Sequence, residues 1–381
     1  MTSHNAVHVI ALGTSPVALW HVDGRERIER MAAQLGGTPA KADAPPENGR
    51  VVLTRADYAI EENLLADLIA TSPLVLCDPA TGRVVGVSLE AAAAARAREA
   101  VERGATAGEV AQAAGLDALP SIPVEEARYN AALRRHVTPF LRPVTAANRA
   151  EIERHLFGLS YKGVTDIVTK YVWPWPAYHV TRWCAAARLT PNMVTLASGI
   201  LVIVAYWLFA QGHFAAGIVA AWAMTFLDTV DGKLARVTVT STAFGNIFDH
   251  GIDLIHPPFW YWAWIVGVGA SGFDLWQADA IVAIVIGGYV AQRILEGIFL
   301  LLFGMHMHVW RPFDSVFRTI TARRNPNLLL LTVFAAIGRP DWGMIAVAVW
   351  TLASLAVHAL QIVQALALRL RGKPVTSWMQ P

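Results

Sequence analysis

The sequence predicts two domains of different kinds. An α/β unit comes first, and an all-α membrane domain of six helices follows it, preceded by a helix lying on the membrane surface. Three observations predict this. The 381 residues are 55% hydrophobic and only 16% charged, with 14 Trp, which suits a membrane protein carrying a soluble part. Up to about residue 125, short apolar runs alternate with amphipathic stretches. From residue 193 onward, six apolar segments succeed one another.

The soluble part is read over residues 1–125. Residues 7–12, 50–53, 74–77 and 83–87 are strand candidates, being short and apolar. Residues 24–35, 61–70 and the alanine-rich 89–103 carry helical periodicity. Strands alternating with helices predict a parallel, doubly wound sheet. Residues 126–171 form a polar connector with a short helix near 150–159. The start, Met1 to His8, lacks the basic head and long apolar core of a signal peptide, so this domain is expected to stay in the cytoplasm. Cys77 and Cys184 lie in different regions and suggest neither a disulfide nor a metal site, consistent with a reducing compartment. The net charge of +2 decides nothing by itself, and no nucleic-acid partner is expected.

The stretches Asp23-Gly24-Arg25-Glu26-Arg27-Ile28 and Val51 to Asp57, with the strand ending at Cys77-Asp78-Pro79, resemble the nucleotidyltransferase-like domains that precede some membrane phosphotransferases. An active enzyme of that kind needs a glycine-rich phosphate loop with a basic residue after its first strand. Residues 11–17 hold one glycine, Gly13, and no Lys or Arg. The expectation is therefore a degenerate, noncatalytic domain in which Asp57 and Asp78 end strands or turns.

Residues 172–190 interleave Trp173, Trp175 and Tyr178 with Arg182 and Arg188, the pattern of a helix lying in the interface. Thr190-Pro191 then starts a helix, with Thr190 as cap and Pro191 in the first turn. Within 191–373 the predicted membrane helices are 193–211, 213–235, 245–269, 278–303, 327–339 and 342–369. His256-Pro257-Pro258 is expected to break or kink the third. Cations concentrate in 233–241, in 304–324 and in the tail around Arg369 and Arg371. The positive-inside rule places those segments and both termini in the cytoplasm, and an even helix count agrees. The expected location is the inner (plasma) membrane, spanned several times.

The most informative stretch runs from Asp228 to Asp253. Asp228 and Asp231 are spaced i, i+3; Asp249 and Asp253 are spaced i, i+4; each pair shares one helix face. Four carboxylates facing lipid are not credible, so they are expected to converge, and converging anions need cations. All-oxygen ligands select hard divalent ions, Mg²⁺ or Mn²⁺. The full pattern is D-x2-D-G-x2-A-R-x8-G-x3-D-x3-D, and it matches at every position the signature of the CDP-alcohol phosphotransferases, which this chain resembles. That resemblance implies two metal ions held by Asp228, Asp231, Asp249 and Asp253, with Asp253 doubling as the base for the acceptor hydroxyl. It implies that Asn192, Thr195, Gly232, Arg236, Thr242 and Gly245 contact a CDP-linked donor, and that CMP leaves. A lipid donor such as CDP-diacylglycerol, a small polar alcohol as acceptor and a homodimer are expected on the same ground.

The acceptor is read from Ala322-Arg323-Arg324-Asn325, just before the fifth helix. Family members that use inositol phosphate carry a similar arginine-rich approach, so Arg323 and Arg324 are candidates for an acceptor phosphate. Inositol phosphate and glycerol phosphate both stay open. An intramembrane prenyltransferase would carry its aspartates on well-separated segments, and would release pyrophosphate rather than CMP. An ion-coupled transporter is the nonenzymatic alternative; six helices without obvious halves argue against it.

Overall fold

The computed structural model describes residues 6–131 and 133–380. Residues 1–5, part of the stretch read for a signal peptide, lie outside the described residues. The chain forms two compact units. One comprises residues up to Arg128 with 136–160 and 235–241; the other comprises 129–135, 161–234 and 242 onward.

In the first unit the elements run β1 (Val7–Leu12), α1 (Gly24–Gln34), β2 (Thr38–Pro39), β3 (Arg50–Arg55), β4 (Tyr58–Ile60), α2 (Glu62–Ala70), β5 (Leu74–Cys77), β6 (Val84–Glu90), α3 (Ala91–Glu102) and α4 (Ala107–Ala114). Strands β7 (Arg128–Asn130), β8 (Arg135–Val137) and β9 (Leu141–Pro143) and helix α5 (Arg149–Leu159) follow. The main sheet has the order β2-β1-β3-β6-β5. Side chains alternate across it. Val9, Ala11 and Val52 face Ile28 and Met31 of α1 and Leu64 and Leu68 of α2. Ile10, Leu12, Val51 and Leu53 face Ala94, Ala97 and Val101 of α3 and Val110 of α4. Burial on both faces is why these strands read as continuous apolar runs.

The sheet is mixed, which corrects the expected parallel arrangement. β1 pairs parallel with β2 and β3, but β6 pairs antiparallel with both β3 and β5. Residues 78–83 explain this. Asp78 Oδ1 accepts from the Ala80 amide at 3.0 Å and its Oδ2 from Thr81 Oγ1 at 2.8 Å. That turn is too short for the crossover that parallel neighbours require.

In the second unit, α6 (Ile167–Tyr171) and α7 (Pro174–Ala186) precede α8 (Pro191–Ala210), α9 (Phe214–Val237) and α10 (Ala243–Ala270). A segment from Ala278 to Phe303 comprises α11 (Ala278–Val282), a π-helical turn and α12 (Gly288–Phe303). α13 (Pro312–Phe317), α14 (Arg324–Ala336) and α15 (Pro340–Leu370) complete it. Helices thus occupy all six predicted segments. Four are long and apolar enough to cross a membrane: α8, α9, the 278–303 segment and α15. α14 has 13 residues, a length of roughly 20 Å against a hydrocarbon core of about 30 Å.

α10 runs unbroken from Ala243 to Ala270 through Pro257 and Pro258, so of the expected break or kink the break does not occur. The prolines deprive the carbonyls of Asp253 and Leu254 of their helical donors. Tyr289 Oη donates to the Leu254 carbonyl at 3.0 Å, replacing one of them. Packing holds the rest: Trp260 Nε1 donates to the Val202 carbonyl at 2.9 Å. A Cβ on Gly267 would lie 1.8 Å from the Phe209 carbonyl oxygen, so only glycine permits this approach of α8 to α10.

Candidate active site

α9 and α10 carry the four aspartates, and their spacings place each pair on one helix face. Carboxylate oxygens of Asp228, Asp249 and Asp253 all lie within 4.8 Å of one another. Asp231 is 2% exposed. Its Oδ2 accepts from Thr195 Oγ1 at 2.5 Å, while its Oδ1 is buried with no hydrogen-bond partner among the described residues. A buried carboxylate oxygen left without a donor is costly and calls for a cation. Three clustered carboxylates beside it supply the all-oxygen donor set that Mg²⁺ and Mn²⁺ prefer, so the residues present fit such ions.

Three of the residues expected at the donor meet at the start of α10. Thr242 caps that helix, its Oγ1 accepting from the Gly245 amide at 3.0 Å. A Cβ on Gly245 would lie 2.9 Å from Asn192 Oδ1 and 3.0 Å from Thr242 Oγ1. Asn192 stands in the first turn of α8, which Thr190 caps, accepting from the Met193 amide at 3.3 Å. Thr195 sits one turn further on and reaches Asp231. Gly232 follows Asp231 directly on α9. Arg236 lies one turn later and donates from Nη1 to the Ser160 carbonyl at 3.2 Å.

The neighbouring arginines Arg323 and Arg324 serve different groups. Arg324 opens α14 and bridges two of the aspartates, donating from Nη2 to Asp228 Oδ2 at 2.6 Å and from Nη1 to Asp253. Asn325 anchors this turn by donating to Asp166 Oδ1 at 3.0 Å, and Asn327 does so by donating to Tyr261 Oη at 2.8 Å. Burial alone would raise the Asp166 carboxyl; Arg318 and the donors from Thr169 and Asn325 hold it below its usual range. Arg323, in extended backbone just outside α14, turns instead to Glu296 and to His308 Nε2, 3.1 Å away.

Glu296 is the centre of a second cluster. Arg293 donates to it at 2.6 Å, and His308 Nε2 lies 3.3 Å from it. Arg134, whose Nη2 lies 3.4 Å from His306 Nε2, is close enough to interact with the charges of Glu296 and Arg323. The Nε atoms of Arg134, Arg293, Arg318 and Arg323, with Nη1 of Arg318, are buried without a partner among the described residues. Glu296, His308 and His358 lie within 4.8 Å of one another, a geometry open to a metal. Two guanidiniums already bonded to Glu296 oppose a divalent cation there, and the surplus of buried donors favours an anion. A signal in the sequence pointed here: Gln292, Arg293 and Glu296 interrupt an otherwise apolar segment. Nothing comparable marked Arg134. Arg311, another cation of the same loop, is held by Asp314 at 2.9 Å and Gln364 at 2.7 Å.

Apolar helices thus gather three carboxylates near a second cluster rich in guanidinium groups. Residues 188–379 match the profile of the CDP-alcohol phosphatidyltransferases, and the chain belongs to that family. It is similar to cholinephosphotransferase 1 of Danio rerio, 26% identical over 145 residues, covering 35% of this chain and 37% of that protein. It is 29% identical over 118 residues to the archaetidylinositol phosphate synthase of Pyrococcus horikoshii, covering 31% of this chain and 59% of that one. Cholinephosphotransferase 1 of Gallus gallus is 30% identical over 129 residues, covering 31% and 37%. The chain thus spans less than two thirds of each of these relatives.

Proposed function

We propose that this enzyme transfers a phosphatidyl group from CDP-diacylglycerol to the hydroxyl of a phosphorylated polyol, inositol phosphate or glycerol phosphate, and releases CMP. The convergence of Asp228, Asp249 and Asp253 within 4.8 Å, beside the unpartnered Asp231 oxygen, carries this reading. Two divalent ions, Mg²⁺ or Mn²⁺, held by these four residues would neutralise the diphosphate and stabilise the departing CMP. The residues of the chain do the remainder. Asn192, Thr195, Gly232, Arg236, Thr242 and Gly245 hold the cytidine diphosphate portion. Asp253 takes the proton of the acceptor hydroxyl. That oxygen forms a bond to the phosphorus bearing the lipid, and the bond from this phosphorus to the CMP oxygen breaks. Arg324, already on Asp228 and Asp253, is placed to fork to phosphate oxygens as well.

The acceptor assignment rests on the buried, incompletely paired guanidiniums around Glu296, which suit the dianionic phosphate of a soluble alcohol. A second reading takes its support from the relatives named cholinephosphotransferase: a soluble CDP-alcohol as donor and a lipid alcohol as acceptor. Around this site we place six membrane spans, α7 on the membrane surface, both termini and the carboxylates on the cytoplasmic side of the plasma membrane, and a homodimer. The N-terminal unit we read as a degenerate nucleotidyltransferase-like domain. Mass spectrometry of the products settles donor and acceptor together. Purified protein is supplied with CDP-diacylglycerol and either polyol phosphate, or with CDP-choline and diacylglycerol. A phosphatidyl polyol phosphate with equimolar CMP supports the first reading; phosphatidylcholine replaces it by the second. No CMP from either pair of substrates removes both.

A further inference from the structure

The loop joining the two ligand helices belongs, by its packing, to the N-terminal unit: residues 235–241 cluster with it. α9 closes with two backbone bonds, from the Thr240 amide to the Ala235 carbonyl at 2.8 Å and from the Val239 amide to the Arg236 carbonyl at 3.3 Å. This is the helix ending that puts one residue in the left-handed region, a place normally held by glycine. Here it is Val239, with φ of 54°. A β-branched residue in that conformation is strained and persists only where its surroundings impose it.

Val239 is 8% exposed and is part of the apolar cluster that includes Ile28, Met31 and Leu65. One face of α1 grips the same loop. Arg27 Nη1 donates to the Val237 carbonyl at 2.7 Å, Arg30 Nη1 to the Thr238 carbonyl at 2.7 Å and Gln34 Nε2 to the Ser241 carbonyl at 3.2 Å. The two arginines satisfy carbonyls that the end of α9 leaves open, and their charge suits the negative pole of that helix. The loop is short, and Asp231 and Asp249 lie within about two turns of it on either side.

We propose that the N-terminal α/β domain is a clamp on the metal site: Arg27, Arg30, Gln34 and Val239 are positioning residues that fix the loop, and through it the register of the Asp228/Asp231 pair against the Asp249/Asp253 pair. The proposal rests on the reading of those carboxylates as ligands for divalent cations. It gives a role to a unit whose residues 11–17 hold one glycine and no lysine or arginine.

The test uses the full chain. Three variants are compared with wild type: Arg27→Met combined with Arg30→Met, Gln34→Ala at an exposed position, and Arg27→Lys as the conservative control. Hydrogen exchange of residues 237–241 and Mn²⁺ binding by electron paramagnetic resonance are read without substrate; CMP release is read separately. The clamp predicts faster exchange in the loop and Mn²⁺ affinity about tenfold weaker in the double variant. It predicts kcat lowered about tenfold with the donor KM within about twofold, and recovery of most of both in Arg27→Lys. Gln34→Ala shifts both readouts in the same direction by less, and decides the matter where the double variant does not fold. Mn²⁺ affinity and kcat unchanged in a variant whose loop exchange is faster overturn the clamp. Wild-type protein that binds no Mn²⁺ overturns the metal-site reading itself, and the clamp falls with it.

Discussion

The Arg324 guanidinium donates to Asp228 at 2.6 Å and also reaches Asp253, so one fixed cation spans the two ligand helices at the carboxylates proposed to hold metal. Arg324 and a divalent ion compete for the same oxygens, and like charges there repel. Arg324→Gln is expected to tighten Mn²⁺ binding about fivefold in a metal-only titration, while kcat falls because a phosphate contact is lost. Weaker metal binding in this variant would mean that Arg324 helps assemble the site instead.

Gly245→Ala tests the donor corner. The added methyl would meet Asn192 Oδ1 at 2.9 Å and Thr242 Oγ1 at 3.0 Å, and one of the two must shift. The KM for the CDP donor is expected to rise about tenfold, equivalent to about 1.4 kcal/mol, with a smaller change in the acceptor KM. Steady-state kinetics with each substrate varied in turn separates the two effects.

Arg323 and Arg324 are adjacent in sequence but are predicted to differ in effect. Arg323 bonds Glu296 and His308, whereas Arg324 bonds the aspartates. Arg323→Gln is therefore expected to raise the KM of the phosphorylated acceptor by about tenfold or more, leaving Mn²⁺ affinity near wild type. An equal loss of affinity for an acceptor without phosphate would contradict the assignment.

Glu61 predicts a pH dependence of stability in the α/β unit. Burial pushes its carboxyl up to about 7 from a usual value of 4.5, and Oε2 has no partner among the described residues. The folded form then holds its proton more tightly than the unfolded form. Stability is fully present below about pH 4.5 and is lost as pH rises through about 7. Glu61→Gln should stabilise the unit at pH 8 by roughly 1–2 kcal/mol and leave it unchanged near pH 4. Thermal unfolding at the two pH values reads the difference.

Much of this was legible in the sequence because it depends on local pattern. The limits of β5 and the helical segment 278–303 follow from apolar runs and turn residues, and the four aspartates from their spacing. What was not legible depends on neighbours in space. Whether β6 runs parallel is decided by a turn that Asp78 and Thr81 close through side-chain bonds. The continuity of α10 across Pro257-Pro258 depends on Tyr289, which lies on a different helix. The division of labour between Arg323 and Arg324 is set by the first turn of α14, where one residue is extended and the next helical. Glu296 was missed although it stands as a charge in an apolar segment; Arg134 and Val239 gave no signal, since each owes its place to packing across long sequence separations.

The central claim is that Asp253 is the base of a CMP-releasing transfer at this carboxylate cluster. It is tested most directly by CMP release from CDP-diacylglycerol and a polyol phosphate with Asp253→Asn in Mg²⁺, beside equilibrium binding of the CDP donor to the same protein. The expected result is turnover lowered by about a thousandfold or more with donor affinity within a few fold of wild type. Turnover within about tenfold of wild type in the purified variant would contradict the account.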